Sequence, residues 1–459
     1  MKKKSLLAGL FAAALLASGL VSANVAQAAN REIVVWMPQG PTRAHYKLIN
    51  AAAQRIEKKH PGLTVTVVGG KDMEVSLAAI NAGNGPDISM ANGAGNVGWF
   101  CGTGAWVNLN KYINGANGVD MKKTFTPAAI SGTKSKGVTC AMPFSSEVFG
   151  FYYNKDLFKD AGIKRAPETL SELKSASQKL TVIRNGNIIK AGYVPWATYM
   201  DNDMTAQFLA AQFGAEFFNS KNKSAFVTDP AWEKAFKWQR NFIADVYGGG
   251  NFEKGSNRLQ AFMAQAGAWW SSDNDFNTGR IAMLNHADWL GTLFCNPDWN
   301  AYDCNTPDVN FKAAPMPVAD AIHDTDYGRG VVGSNAMGIS KGTDNMRDAW
   351  TVLKELTTEL KVSRDWANTF GAVPSLNALR QPDAGVTRPA WMLPFYRITS
   401  HPKSGYHRLL NAGEHLEVDY LVELFNAWQA NDLQGIGVSN LKAGLKQAAD
   451  KVNALPGMR

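Results

Sequence analysis

Alternating strand and helix patterns near the start of the chain constrain its fold most strongly. Apolar strands are predicted at 33–37, 63–68 and 87–90, and amphipathic helices between them at 42–59 and 73–81. This alternation favours an α/β domain with a largely parallel sheet. A second α/β region begins near Tyr152, and no low-complexity linker separates the two regions. We therefore expect two lobes joined by several chain crossings.

The first 28 residues have the pattern of a secretory signal peptide. Three lysines at 2–4 precede an apolar run at 6–20, and a small-residue motif follows at 26–28. The run is shorter than the roughly 20 apolar residues that a spanning helix needs. We expect segment 1–28 to be removed and the protein to be exported, to a periplasm or to an extracellular or cell-wall space.

The charge pattern gives no reason to expect a nucleic-acid partner. The formal net charge is +8, and taking away the three lysines at 2–4 leaves +5, spread along the chain without a basic tract. No His, Cys or acidic spacing indicates a metal site, and we expect no cofactor. The 14 tryptophans of an exported chain suit stacking against sugar rings, although most are expected in the core.

The four cysteines predict disulfides, because an even number in an exported protein favours pairing. Three pairings are possible. We favour Cys101 with Cys140 and Cys295 with Cys304, since the second pair brackets a short polar loop.

Several short motifs resemble one family in order and spacing. They are GPDI at 85–88, YNKDLF at 153–158, FNTGRIAM at 276–283, APMP at 314–317 and FGAVP at 370–374. Together they resemble family 1 of the extracellular solute-binding proteins of ABC importers, in the branch that includes the maltose-binding protein.

This resemblance implies a periplasmic-binding-protein-like fold of class II, with two α/β lobes joined by a multi-crossing hinge and a ligand cleft between them. By analogy, lobe 1 comprises 29–147 with 318–370, and lobe 2 comprises 148–317 with 371–459. The crossings are expected near 148–151, 315–317 and 371–373. The implied function is capture of a mono- or oligosaccharide and its delivery to a membrane permease, by a monomer that performs no catalysis.

The resemblance also suggests which residues bind the ligand. Glu147 stands at the spacing of a cleft carboxylate, which can accept two hydroxyl groups, and Trp289 stands at the spacing of a sugar-stacking tryptophan. Loops at the carboxyl ends of strands and polar-aromatic loops supply further candidates. These are Gln39, Asn92, Ser145, Ser146, Trp196, Tyr199, Asp201, Trp270, Asp273, Arg329 and Asn335.

Two alternatives remain open from the sequence. A ligand of the glycerol-phosphate type would give Arg329 a central role. A secreted carbohydrate-active enzyme would need a working carboxylate pair, which spacing along the sequence does not establish.

Overall fold

The computed structural model describes residues 31–135, 137–195, 205–221, 223–268, 271–295, 310–405 and 414–455. The predicted signal segment 1–28 therefore lies outside the described residues. The strands are β1 Arg31–Trp36, β2 Leu63–Val68, β3 Ile88–Ala91, β4 Lys134–Ser135, β5 Val138–Thr139, β6 Met142–Asn154, β7 Val182–Arg184, β8 Asn187–Tyr193, β9 Ile281–Ala287, β10 Phe311–Ala314 and β11 Val332–Ile339.

The helices are α1 Ala44–Lys59, α2 Met73–Asn81, α3 Ala94–Gly102, α4 Asn110–Ile113, α5 Met121–Thr124, α6 Pro127–Ser131, α7 Lys155–Asp160, α8 Leu170–Leu180, α9 Thr205–Gln212, α10 Pro230–Ile243, α11 Phe252–Met263, α12 Leu290–Phe294, α13 His323–Asp326, α14 Met346–Thr358, α15 Leu360–Phe370, α16 Leu393–Ser400, α17 Glu414–Gln429 and α18 Leu441–Asn453. No helix within the described ranges is long and apolar enough to cross a membrane.

The large sheet runs in the order β2-β1-β3-β11-β6-β9-β8-β7, with β10 paired to β6 as well. Strands β1, β2 and β3 are parallel, and β11 is antiparallel to both β3 and β6. Strand β6 lies in the middle of this sheet and pairs with strands of both halves. Its first part, Met142–Val148, pairs with β11, and its second part pairs with β9 and β10.

Each end of the sheet has its own apolar core. On one side β1 and β2 bury alternate residues, and α1 covers them with a face that includes Ile49 and Ile56. On the other side β9 is buried along its whole length, and α8 packs Leu173 against the same cluster. This division into two α/β regions agrees with the fold class expected from the sequence.

Strand pairing and packing show where the chain changes partners between the two regions. The pairing of β6 changes partner between Val148 and Phe149, within the expected 148–151. The second change occurs at Val331–Val332 rather than at 315–317, because Val318 exchanges main-chain hydrogen bonds with Glu168 and Leu170 of the second region. The lobe 1 segment predicted to begin at 318 therefore joins the first half of the sheet only at 332.

The segment after α15, where the third crossing is predicted, packs with both regions. The residues that follow Gly371 still pack in the core of the first region, as far as Val386. A mixed cluster then forms around α16, where Phe395 packs with Val148 and with Phe311 of β10. The packing of these residues therefore continues the first region beyond Gly371, while the lobe boundary near 371 stays a prediction.

One predicted disulfide is present between described residues. Cys101 at the end of α3 is bonded to Cys140, just before β6, and 39 positions separate them. Cys295 is also disulfide-bonded, and its predicted partner, Cys304, lies outside the described residues. The first bond ties α3, whose start follows β3, to the strand that joins the two regions.

Replacing Cys101 and Cys140 by serine should lower the free energy of unfolding by about 2–4 kcal/mol, because the crosslink restricts the unfolded chain. Urea denaturation monitored by circular dichroism measures this. The Cys101→Ser variant alone should lose as much as the double variant, since either change breaks the same bond. Unfolding of the double variant at the wild-type urea concentration would contradict the stabilising role.

Candidate functional site

Three segments meet where β6 passes from one region to the other. Ser145 and Glu147 lie on β6, opposite Asn335 and Gly333 of β11. Gly93 lies just after β3, and a Cβ built on it would be 3.6 Å from Glu147 Oε2. Because β1 and β3 are parallel, the loops that follow them emerge at the same edge of the sheet, as the sequence analysis expected.

Glu147 and Trp289 are in direct contact. The indole Nε1 of Trp289 donates to Glu147 Oε1 at 3.0 Å, and both side chains are half-buried. Trp289 also lies edge-to-face against His286, with ring centroids 4.8 Å apart. Burial lowers the pKa of His286 to about 3, so its imidazole is neutral at pH 7. The structure thus unites the two residues that the sequence ranked first.

Asn335 braces this site from β11. Its Oδ1 accepts the Gly93 main-chain N–H at 2.9 Å, and its Nδ2 donates to Ser145 Oγ at 3.0 Å. Asn335 and Ser145 were expected to face the ligand. In the structure they bond to each other and hold the loop after β3 against β6.

Several polar atoms near the strand ends are buried without a hydrogen-bond partner. They are Gln39 Oε1 after β1, Asn92 Oδ1 after β3, Asn96 Oδ1 in the first turn of α3, and Ser146 Oγ on β6. A buried polar atom left unpaired costs about 1–3 kcal/mol. The atoms of Gln39, Asn92 and Asn96 lie at the carboxyl ends of parallel strands, where they suit a ligand that donates hydrogen bonds. Ser146 lies within β6, on the face opposite to Ser145 and Glu147.

Arg329 lies in a different setting from the one predicted. It is 5% exposed, and its guanidinium donates to Asp326 Oδ2 at 2.9 Å. Lys403 also pairs with Asp326. Burial alone would raise the pKa of Asp326, but the bonds from Lys403 and Arg329 outweigh it and hold that pKa at about 2. The charge of Arg329 is therefore compensated inside the protein.

The remaining candidates are one residue in an exposed turn and four outside the described part of the chain. Asp273 is exposed in a turn, where its main-chain N–H donates to Ser271 Oγ at 3.1 Å. Asp275, close by, is buried and paired with Arg280. Four predicted residues lie outside the described residues: Trp196, Tyr199, Asp201 and Trp270.

Asp288 is a site residue that the sequence reasoning missed. It is fully buried and accepts the main-chain N–H groups of Val148, Trp289 and Val373 at 3.2, 3.1 and 2.8 Å. Burial raises the pKa of Asp288 well above its ordinary value, the three donors oppose this, and the nearby charge of Glu147 adds to the rise. A carboxylate that directly follows a fully buried strand, β9, was the signal available in the sequence.

The arrangement has the features of an exported binding protein: two α/β regions, a strand shared between them and a polar-aromatic site at their junction. The family model described as "Bacterial extracellular solute-binding protein" matches residues 40–359. The chain belongs to this family, which confirms the resemblance seen in the motifs.

Named relatives agree with this assignment. The chain is 23% identical over 353 residues to a maltotriose-binding protein of Pyrococcus abyssi, covering 77% of this chain and 68% of the relative. Among solved structures, it resembles CpMnBP1 with mannotriose bound, with a TM-score of 0.68, 22% identity and coverage of 92% and 99%. It also resembles a cyclic α-maltosyl-1,6-maltose binding protein of Arthrobacter globiformis, with a TM-score of 0.69, 19% identity and coverage of 92% and 98%. The expected class II periplasmic-binding-protein fold is confirmed by these structures.

The Asp326→Asn variant should be less stable than the wild type, because Arg329 would lose the charge that compensates it in the interior; breaking such pairs costs about 3–5 kcal/mol. The low pKa of Asp326, about 2 against an ordinary 3.8, means that its carboxylate stabilises the folded state above pH 4. The difference in Tm between wild type and variant should therefore shrink as pH falls from 4 to 2.

Differential scanning calorimetry from pH 7 to pH 2 tests this prediction. Asp324→Asn is the matched control, because the Asp324 side chain is 98% exposed in the same turn. A Tm difference for Asp326→Asn that stays constant over the whole pH range would refute the buried ion pair.

Proposed function

We propose that this protein captures a mono- or oligosaccharide at the junction of its two regions and delivers it to an ABC-type membrane permease. The observation that carries the proposal is the Glu147–Trp289 contact, with the buried, unpaired Oδ1 of Asn92 one residue before Gly93, whose backbone approaches Glu147. The carbohydrates in the names of the relatives support the same class of ligand.

The chemistry of the site suits a sugar. A pyranose has an apolar C–H face, which packs on an indole, and hydroxyl groups around its rim. The Glu147 carboxylate accepts charge-assisted hydrogen bonds from such hydroxyls. A hydroxyl donor that reaches Asn92 Oδ1 would also remove the cost of leaving this buried atom unpaired.

A phosphorylated ligand is not favoured. The cation proposed for it, Arg329, is buried and bonded to Asp326. Glu147 would also repel a phosphate at the junction. The modest positive charge of the chain does not change this, because it is not concentrated at the site.

A glycosidase is not favoured either. Glu147 has one carboxylate close by, Asp288, but that group is fully buried and accepts three main-chain N–H groups. A group this buried and occupied does not suit proton transfer to a sugar, whereas glycosidases need two carboxyl groups flanking the bond. The family to which the chain belongs consists of binding proteins.

We further propose that the protein works in the periplasm or an equivalent extracellular space after removal of segment 1–28. Sugar bound between the regions would favour a closed form in which they approach each other. The permease would then recognise that form, since a ligand shifts the population towards the state that binds it better.

A panel of maltotriose, mannotriose and glycerol 3-phosphate tests the ligand class. A sugar at about 100 times its dissociation constant should stabilise the protein by about 2.7 kcal/mol and raise its Tm measurably. Chromatography of the same mixtures should show intact sugar. Stabilisation by glycerol 3-phosphate alone, or release of shorter sugars, would overturn the proposal.

Substitutions at the contact should weaken sugar binding, as measured by isothermal titration calorimetry. Glu147→Gln removes a charged acceptor and should reduce affinity about 10- to 100-fold, since bonds to charged groups contribute about 1.5–3 kcal/mol. Trp289→Ala should reduce it similarly through lost stacking. Trp289→Phe keeps an aromatic face without the indole N–H and should lose less than Trp289→Ala.

Glu172→Gln is the matched control, because Glu172 is an exposed partner of Arg165 on α8, away from the junction. It should bind sugar like the wild type. Equal affinities for wild type, Glu147→Gln and Trp289→Ala would place the binding site elsewhere.

A further inference from the structure

Asp288 links three segments that are distant in sequence. Its Oδ1 accepts from Val148 on β6 and from Trp289, and its Oδ2 accepts from Val373, which follows α15. Its own N–H donates to the Val148 carbonyl at 2.8 Å, so strand β9 and strand β6 are bonded twice at this point.

Two of these bonds hold the backbone next to Glu147 and at Trp289, on either side of the hydrogen bond between their side chains. Glu147 directly precedes Val148, and Trp289 directly follows Asp288. The backbone on both sides of the Glu147–Trp289 hydrogen bond is therefore anchored to one carboxylate. Tyr152 reinforces the same turn, because its hydroxyl lies 3.0 Å from both the Ala287 and Asp288 carbonyl oxygens and accepts from the Gly291 N–H.

The third bond reaches the first region. Val373 follows Ala372, which packs in the core of that region, while Trp289 packs against the core of the second. The Val373 carbonyl also accepts from the Ser146 N–H at 3.3 Å. The backbone at Gly371 approaches α12 so closely that a Cβ there would lie 1.8 Å from Thr292 Oγ1. The segment after α15 is thus docked on the turn that begins with Asp288.

We propose that Asp288 is a positioning residue whose carboxylate makes the Glu147–Trp289 pair and the segment at Val373 move as one unit at the hinge. A sugar that contacts the pair then acts directly on the connection between the two regions. This part of the inference rests on the proposed sugar-binding function, whereas the mechanical link between the three segments does not.

The test compares Asp288→Asn with Asp348→Asn in the mature protein. Asp348 is the matched control, because it is also buried and bonded, to Arg31 and Asn345, but it lies on α14 at the side of the first region. Hydrogen exchange followed by NMR in the absence of sugar reports the amides of Val148, Trp289 and Val373. Calorimetry with maltotriose and mannotriose reports affinity.

Asp288→Asn should speed exchange at all three amides at least tenfold and weaken sugar binding at least tenfold. Asp348→Asn should lower Tm while leaving those amides and the sugar affinity as in the wild type. Wild-type exchange rates at the three amides in Asp288→Asn would overturn the link, whatever the sugar result. Altered exchange with unchanged sugar affinity would overturn the coupling to the ligand.

Two further measurements test the inference even if Asp288→Asn is unstable. If Asp288→Asn does not fold, hydrogen exchange of the wild type tests the link instead. The three amides should exchange at one common rate, and widely different rates would show that the three segments do not move together. In Gly371→Ala the added Cβ would collide with Thr292 and push the segment after α15 away from α12. This variant should therefore also weaken sugar binding. If the wild type binds neither sugar, the proposed ligand class fails, and the exchange data still decide the link.

Discussion

The structure depends on one strand, β6, which pairs with strands of both regions. The first part of β6 is hydrogen-bonded to β11 and its second part to β9 and β10, so neither region can shift without bending this strand near Val148. The side chains that suit ligand contact lie at that point, and the Cys101–Cys140 bond anchors the chain shortly before β6 begins. The residues suited to ligand binding and the point where the two regions could move relative to each other therefore lie on the same short stretch of β6.

Local sequence patterns predicted the elements well, because their causes are local. Thr169 is of a residue type that favours helix starts, and its hydroxyl caps α8 by accepting the Glu172 N–H. The alternation of β2 and the apolar face of α1 give their burial directly. The Glu147–Trp289 contact was found differently: family spacing singled out both residues, and nothing local to either one would have joined them.

What the sequence could not predict depends on contacts between distant segments. Arg329 was a candidate ligand-binding cation, and although its partner Asp326 is only three residues away, Lys403 joins the same carboxylate only through folding. The second crossing was placed at prolines, yet the strand pairing that defines it begins at Val332. Asp288 escaped notice for the same reason, since its role comes from three amides contributed by separate parts of the chain.

The hydrogen bond from Trp289 to Glu147 has a thermodynamic consequence. A ligand hydroxyl that takes this carboxylate oxygen replaces an existing donor, so the net enthalpy is the difference between two hydrogen bonds rather than the full value of one. Such an exchange therefore contributes less to affinity than a bond to an unoccupied carboxylate oxygen would. Discrimination between sugars would then draw also on the unpaired Oδ1 of Asn92, where a correctly placed hydroxyl displaces nothing within the protein.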